Sequence, residues 1–209
     1  MKLQKIALAV ALVAAPLSAF AGGSLDLFYV DQELDIGAPA SVKDDGDGIG
    51  VRGAAELGNG LSFTGLYQKS DLDDRAIAGI NNIEETRIGL SYDHSLDGFT
   101  VGGGLEAVSV DLDGLGPFSI ALSGYSANVH ASVTPIDNLS LYAHIGYTDL
   151  NKADGIEYGV GASYAVTPEV SGFVEYRIAR LDGDLGNIVP AGTDVDLDTL
   201  RVGARYTFK

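Results

Sequence analysis

The feature that most constrains this chain is an alternation of apolar and polar residues at a period of two. Residues 198–208 place five apolar side chains on one face, namely Leu200, Val202, Ala204, Tyr206 and Phe208. Polar residues or glycine occupy the positions between them. Because successive side chains of a β-strand point to opposite faces, this period predicts a strand with one apolar and one polar face.

The same pattern recurs in pairs of segments joined by short turns. Four hairpins are predicted, over residues 49–68, 87–109, 125–147 and 158–178, with turns rich in Gly, Asn, Asp and Pro. Single strands near residues 25–30 and 200–208 raise the predicted count to ten. An even count with alternating short and long connections is typical of a closed, antiparallel, up-and-down transmembrane β-barrel. We therefore predict an all-β, ten-stranded barrel, with eight strands as the alternative.

The amino terminus carries the pattern of an export signal. Lys2 and Lys5 precede an apolar run at residues 6–15, and Ala19 and Ala21 occupy the small-residue positions before a cleavage site. We expect residues 1–21 to be a signal peptide cleaved after Ala21, and residues 22–209 to be one barrel domain. An uncleaved membrane helix is the alternative, for which the apolar run is short.

Composition excludes several functions. The chain has no cysteine, which excludes disulfides and cysteine-based metal or nucleophile chemistry. Its net charge of -16 argues against nucleic-acid binding, which requires a basic surface. The acidic residues concentrate in the predicted links between hairpins, notably residues 31–47, 70–85 and 179–196. We expect these links to form long external loops, and we expect no cofactor.

The apolar face of the strands is predicted to face lipid. It carries aromatic residues near both strand ends, as expected for the two interfaces of a membrane. They are Tyr29, Tyr67, Tyr147 and Tyr176 near one end, and Phe63, Tyr92, Phe99, Tyr164 and Phe208 near the other. A soluble barrel of the lipocalin type, with the apolar face inside, is the alternative.

The opposite face carries both signs of charge and would line the lumen. We predict an internal polar network of Arg52, Glu56, Arg87, Glu106, His130, His144, Glu175, Arg177, Arg201 and Arg205. Arginines and carboxylates in a narrow lumen favour salt-bridged packing over paired catalytic carboxylates. We therefore expect the lumen to be filled and to conduct poorly.

These features resemble the small outer-membrane barrels of Gram-negative bacteria, the OmpA-like and OmpX-like domains. The resemblance rests on the export signal, on glycine-rich strands such as residues 159–164, and on the carboxy-terminal segment 200–208. It implies that Tyr206 and Phe208 form an assembly signal, although Lys209 follows them. It also implies outer-membrane lipid, lipopolysaccharide, the barrel-insertion machinery and periplasmic chaperones as partners of a monomer.

Two weaker patterns point to chemistry. His130 and Ser132 share a strand face and resemble the catalytic motif of outer-membrane lipid A deacylases, but they lie next to a turn and point into the lumen. Two acidic stretches resemble parts of calcium loops and are candidates for weak cation binding: Asp44, Asp45 and Asp47, and Asp194, Asp196 and Asp198.

The sequence favours a structural or narrow porin-like outer-membrane barrel that is not an enzyme. A surface adhesion or signalling barrel that acts through its loops is the alternative, and a lipid A-modifying enzyme is a third possibility.

Overall fold

The computed structural model describes residues 22–37, 42–73, 80–114, 119–183 and 193–208. In this part of the chain, no helix is long and apolar enough to cross a membrane. The elements are ten strands: β1 (Gly23–Ile36), β2 (Val42–Gly58), β3 (Leu61–Leu72), β4 (Ile80–Leu96), β5 (Phe99–Gly114), β6 (Ser119–Ile136), β7 (Leu139–Leu150), β8 (Ala153–Ala165), β9 (Val170–Gly183) and β10 (Thr193–Phe208).

The strands form a closed barrel in which each strand pairs antiparallel with its sequence neighbours. β10 closes the barrel by pairing with β1 from Gly23↔Phe208 to Ile36↔Val195. Closure leaves no free sheet edge, which is the condition for a sheet to lie in lipid. The prediction of a ten-stranded, all-antiparallel barrel is confirmed.

Four hairpin turns lie at the same end of the barrel as both ends of the sheet, here called the turn end, whereas the two-residue turn Asn151–Lys152 between β7 and β8 lies at the other end. β2 and β3 are joined by Asn59 and Gly60, whose φ angles of 53° and 81° suit a type I′ hairpin turn. Asp97–Gly98 and Asp137–Asn138 form two further two-residue turns, and residues 166–169 connect β8 to β9. The opposite end is here called the far end.

The strands are longer than the sequence pattern predicts. They contain 12 to 18 residues, whereas about 9–11 residues suffice for a tilted strand to cross a bilayer. The excess lies at the far end, where segments predicted to be loops continue as strands. β1 reaches Ile36 and β2 begins at Val42, so most of the predicted loop over residues 31–47 is sheet.

The outward face has two zones. From the turn end, each strand presents four to five mostly apolar side chains, and most of them are exposed, such as Leu27 and Tyr29 on β1 or Leu200 and Val202 on β10. Aromatic side chains border this zone on both sides. Exposed members of the two rows are Tyr29, Tyr125, Tyr147, Tyr158 and Tyr176 towards the far end, and Tyr92, Phe99, Tyr164 and Tyr206 towards the turn end.

Beyond the far aromatic row the outward face becomes acidic. We call this zone the collar, and on the described strands it holds fifteen carboxylates and three cations: Asp31, Glu33, Asp35, Lys43, Asp45, Asp47, Lys69, Asp71, Glu84, Asp111, Asp113, Asp149, Asp154, Arg180, Asp182, Asp194, Asp196 and Asp198.

The inward face changes in the opposite direction, from polar at the turn end to apolar at the far end. Near the turn end it is polar, in the middle it is charged, and at the far end it is apolar. The far-end side chains pack into one buried cluster, here called the cap: Leu34, Ile36, Leu72, Ile80, Ile83, Val108, Leu112, Ile120, Leu122, Leu150, Ala179, Val195 and Leu197. The barrel is thus polar inside and apolar outside between the two aromatic rows, and apolar inside and acidic outside beyond the far row.

Candidate functional site

The middle of the lumen is filled by ten ionised side chains, here called the ion layer. It comprises Asp26, Arg52, Glu85, Arg87, Glu106, Glu157, Glu175, Arg177, Arg201 and Arg205. Five guanidinium groups meet five carboxylates, so the layer is balanced in charge. Such a balance is required where charges are withdrawn from water, because an unpaired buried charge is costly.

Glu85 is the centre of one half of the layer. Arg177 donates to both of its oxygens at 2.8 and 2.7 Å, and Arg87 Nε donates at 2.6 Å. Arg87 also binds Glu157 through Nη2 at 2.5 Å and Glu106 through Nη1 at 3.2 Å. These hydrogen bonds cross the lumen repeatedly and tie β4, β5, β8 and β9 together.

Glu175 and Asp26 organise the other half. Glu175 accepts hydrogen bonds from Arg52 Nη1 at 2.9 Å and from Arg201 Nη1 at 2.5 Å. Asp26 accepts from Arg52 Nε at 2.8 Å and from Arg205 Nε at 2.7 Å. These contacts join β1, β2, β9 and β10 across the seam where the barrel closes.

Two aromatic rings support this second half. Phe28 and Phe173 meet edge to face, with centroids 6.1 Å apart. The guanidinium groups of Arg52 and Arg205 lie over the Phe173 ring at 5.4 and 5.7 Å, and that of Arg201 lies over the Phe28 ring at 5.6 Å. The rings hold the guanidinium planes in place and attract their charge.

A band of uncharged polar residues separates the ion layer from the cap. Gln68 donates to Glu85 at 2.8 Å, and its own carbonyl accepts from Arg201 Nε at 2.8 Å. Gln32 accepts a hydrogen bond from Ser70 and is completely buried. The lumen of the described strands is therefore closed by two successive fillings, one ionic and one apolar.

Below the ion layer lies a cavity of about 400 Å³, here called the chamber. Its wall towards the turn end is built of hydroxyl, amide and imidazole groups: Thr64, Asn128, His130, Ser132, Ser140, Tyr142, His144 and Ser163. Its inner wall is formed by the arginines and carboxylates of the ion layer. Because its lining extends to the residues next to the hairpin turns, the chamber is a blind pocket at the turn end.

His130 and Ser132 line this chamber but are not arranged as a base and a nucleophile. His130 Nε2 lies 2.7 Å from Asp93 Oδ1, and its Nδ1 lies 3.4 Å from Asn128 Oδ1. The close contact of His130 is therefore with Asp93 and not with Ser132. The other predicted lumen histidine, His144, places Nε2 3.6 Å from Glu157 Oε1.

Nine of the ten predicted lumen residues lie inside the barrel, whereas Glu56, on the same strand face as Arg52, lies at the rim. Glu56 is exposed at the turn end of β2, and no arginine in the described part of the chain pairs with it. Three of the carboxylates that complete the network were missed: Asp26, Glu85 and Glu157. Glu85 fell in a predicted loop, although it lies two residues before Arg87 and shares its inward face.

The expectation that the two acidic stretches form cation-binding loops is wrong about their structure, because both stretches are strands. Asp45 and Asp47 point outward from β2, whereas Asp44 points inward and is buried. Asp194, Asp196 and Asp198 follow one another on the outward face of β10. Among the described residues, no three His, Asp or Glu side chains are grouped to hold a metal ion.

Hydrogen bonds join the far aromatic row to the collar. Tyr147 donates to Asp154, and Tyr176 donates to Asp198 at 2.7 Å. Tyr67 shares the outward face of this row, but it is buried and hydrogen-bonded to Glu84. In the collar itself, hydrogen bonds from Lys43 to Glu33 and Asp35 raise the pKa of this ammonium group.

The expected carboxy-terminal assembly signal forms the turn end of β10. Tyr206 pairs with Leu25 and is exposed on the apolar outward face, and Phe208 pairs with Gly23 in the first register position of the closing seam.

Two of the solved structures that are similar to this chain share its fold. The outer membrane protease OmpT from Escherichia coli is 12% identical over 90% of this chain and 97% of that chain, with a TM-score of 0.54. The COG4313 outer membrane channel from Pseudomonas putida F1 is 13% identical over 90% and 96%, with a TM-score of 0.51. Neisserial surface protein A is 17% identical over 89% and 97%, with a TM-score of 0.48. At these identities the likeness concerns the fold alone.

The family of this chain is identified from its sequence. Comparison with curated protein sequences finds no match. The model of the outer membrane protein beta-barrel domain, however, matches residues 6–208, nearly the whole chain. A closed barrel with an apolar outward zone between two aromatic rows is the structure that this family requires. The chain therefore belongs to the outer membrane protein β-barrel family and is a protein of the outer membrane.

Proposed function

We propose that this protein is a closed, structural barrel of the outer membrane that carries a rigid acidic collar above the lipid. The observation that supports this function most directly is the double filling of the lumen. The ion layer occupies the middle of the barrel, and the cap occupies its far end. A solute would have to displace both to pass.

We propose that the turn end faces the periplasm, because short turns of such barrels are periplasmic and longer connections are external. The collar then stands outside the cell, at the level of the lipopolysaccharide head groups. We also propose that residues 1–21 are removed after export, and that Tyr206 and Phe208 are read by the barrel-insertion machinery. Residues 38–41, 74–79, 115–118 and 184–192, on which an adhesion role would depend, lie outside the described residues.

A narrow channel is the competing function, since the neighbour from Pseudomonas putida is an outer membrane channel. A barrel of eight strands is just filled by side chains, and ten strands leave little more room. Here that room is taken up by five arginines, with their partners, and by the cap. We therefore favour a closed barrel over a channel.

We also propose that the protein is not an enzyme, although the neighbour OmpT is a protease. The support for this proposal comes from the surroundings of one candidate nucleophile. Within the described structure no hydrogen bond joins the candidate nucleophile Ser132 to His130, whose Nε2 contacts Asp93 instead. A general base must lie within hydrogen-bond reach of the proton that it removes.

Planar-bilayer recording tests the closed barrel. Two fillings in series predict that disrupting either one alone leaves the barrel closed. We would compare the wild type with Arg87→Ala/Glu157→Ala in the ion layer, with Ile83→Ala/Leu112→Ala in the cap, and with all four substitutions combined. Only the combined variant should conduct steadily.

Heat-modifiable migration on gels confirms that each variant is folded, and Arg180→Ala on the collar is the matched surface control. Large, steady channels in the wild type would overturn the proposal. Steady conduction after disruption of one filling alone would show that the two do not act in series.

A further inference from the structure

We propose that processing after export creates an ion pair at the closing seam, between the new α-ammonium group of Gly22 and the carboxylate of Glu56. The inference rests on the proposed removal of residues 1–21 and gives that cut a role in the folded barrel. It starts from Glu56, the predicted lumen residue that the ion layer leaves aside.

Gly22 and Glu56 lie opposite each other at the turn end of β1 and β2. The register of these two strands reaches Gly23↔Ala55, and the Glu56 backbone N–H donates to the Gly22 carbonyl oxygen at 3.0 Å. This hydrogen bond extends the antiparallel pairing by one residue. Side-chain positions that are opposite in such a pair lie about 4.5–5.5 Å apart on the same face of the sheet.

The Glu56 side chain approaches Gly22 more closely than this register requires. A Cβ atom built on Gly22 would lie 2.7 Å from Glu56 Oε2 and 3.1 Å from its carboxyl carbon. The Gly22 nitrogen is bonded to the same Cα, so standard bond lengths place it within about 5 Å of Oε2. In the precursor this nitrogen belongs to a neutral peptide bond. After a cut behind Ala21 it is an amino group that is mostly protonated at neutral pH.

Glu56 is available to this new charge. Within the described residues no lysine or arginine forms a salt bridge with it. Arg52, on the same face of β2, is bound to Asp26 and Glu175, and Arg205 is bound to Asp26. An opposite charge within about 4–6 Å favours the charged form of an ionisable group, so the carboxylate and the ammonium group stabilise each other.

The two residues that follow the cut suit this arrangement. A side chain on Gly22 would displace the Glu56 carboxylate. A Cβ on Gly23 would press against the Ala54 carbonyl oxygen and lie 2.8 Å from the Phe208 ring. Both close approaches depend on glycine. The ion pair therefore anchors the start of β1 to β2 at the point where Gly23 also pairs with Phe208 of β10.

Solution NMR of protein purified from outer membranes into detergent micelles tests the ion pair. With glycine labelled by ¹³C, the Cα signal of Gly22 reports the charge of its own amino group during a pH titration. We expect the Glu56 carboxylate to raise the pKa of this amino group. Because Glu56 is exposed to water, the effect should be modest, with a proton-dissociation constant about threefold lower in the wild type than in Glu56→Gln.

Asp137→Asn is the matched control. It removes one carboxylate at the same end of the barrel, in the turn between β6 and β7, on the opposite side from β1 and β2. This change should leave the dissociation constant of the amino group unaltered. Heat-modifiable migration on gels checks that both variants are folded, which the exposure of the two substituted side chains favours.

The intact mass of the same sample separates the ion pair from the processing step. A chain that begins at Gly22, with equal dissociation constants in the wild type and in Glu56→Gln, would overturn the ion pair and leave the cut after Ala21 standing. A chain that begins at another residue would overturn the proposed cut, and the ion pair with it. Neither result bears on whether the lumen is closed.

Discussion

At the scale of single residues, Glu85 shows both what the sequence predicts and what it leaves open. All five lumen arginines could be assigned to the inward face, because period-two parity follows directly from the sequence. Their partners could not be assigned, because pairing across the lumen depends on the register in which the barrel closes. Glu85 contacts Arg87, two residues away, but also Arg177, which is 92 positions distant. The missed Asp26 likewise binds Arg205 across the seam.

Neutralising Glu85 should destabilise the protein strongly. In Glu85→Gln, Arg87 and Arg177 lose an acceptor that is almost completely buried, and breaking a buried ion pair costs about 3–5 kcal/mol. Urea unfolding of the folded protein in lipid nanodiscs measures the loss.

Glu106→Gln is the matched control. Glu106 has one contact with Arg87, at 3.2 Å, and is partly exposed, so its loss should cost about 1 kcal/mol or less. Equal effects of the two substitutions would contradict the central role of Glu85.

Asp196 gives a prediction about pH in the collar. Partial burial, together with the carboxylates of Asp198, Asp35 and Asp194, raises the pKa of Asp196 above its usual 3.8, although Arg180 opposes the shift. A carboxyl whose pKa is raised on folding favours the folded state at low pH, and this contribution is lost as pH rises through the folded-state pKa.

Asp196→Asn should therefore stabilise the protein slightly at pH 7 and have no effect near pH 3. Carboxyl NMR titration checks the pKa directly, and Asp194→Asn should lower it. A pKa at or below 3.8 for Asp196 would contradict the prediction.

At the scale of the strand, the alternation persists along the chain but the apolar face changes sides. In β1, Leu27 and Tyr29 face outward, whereas Leu34 and Ile36 face inward into the cap. The aspartates on the outward face of this second part of the strand suggested a loop. For this reason the predicted strands ended too early. The physical reason for the change is the solvent: lipid surrounds the first part of the strand and water surrounds the second.

Gly203 provides a test of packing between strands. A Cβ at this position would press against the Leu27 carbonyl oxygen and lie 2.6 Å from Phe28 Cβ and 2.8 Å from Phe28 Cα. These atoms belong to or adjoin the paired backbone of β1, so they cannot move away freely. Gly203→Ala should cost about 1–3 kcal/mol in urea unfolding.

Gly172→Ala is the control on the neighbouring strand β9. The nearest atom to its added Cβ is 3.9 Å away, so the protein should unfold at the same urea concentration or a higher one. A neutral Gly203→Ala would show that the seam between β1 and β10 yields more than the structure indicates.

At the scale of the whole molecule, the charge is confined to two places with different properties. The ion layer is balanced and enclosed, whereas the collar carries fifteen carboxylates against three cations on the outer surface. The net charge and the acidic segments were evident from the sequence. The placement of the acidic segments on a rigid sheet was not evident from the sequence, because a run such as residues 194–198 has the composition of a loop.

Salt should stabilise the folded barrel. Collar charges repel one another over a Debye length of about 30 Å at 0.01 M ionic strength but only about 8 Å at 0.15 M. We expect the urea midpoint to rise between these two concentrations, and we expect the rise to shrink in Asp31→Asn/Asp47→Asn/Asp71→Asn. Far-UV circular dichroism follows the unfolding. A midpoint that falls with added salt would indicate that attractive surface pairs dominate the collar.

The level at which the outward face turns from apolar to acidic also fixes how deep the barrel can sit. If the barrel moved inward by two residues per strand, about 6 Å, Asp31, Asp47 and Asp149 would be carried towards the hydrocarbon. If the barrel moved outward, Leu27 and Ile49 would be exposed to water. Strands tied together through a filled lumen cannot tilt individually. Where the hydrocarbon thickness does not match the apolar zone, it is therefore the surrounding lipid that must thin or thicken.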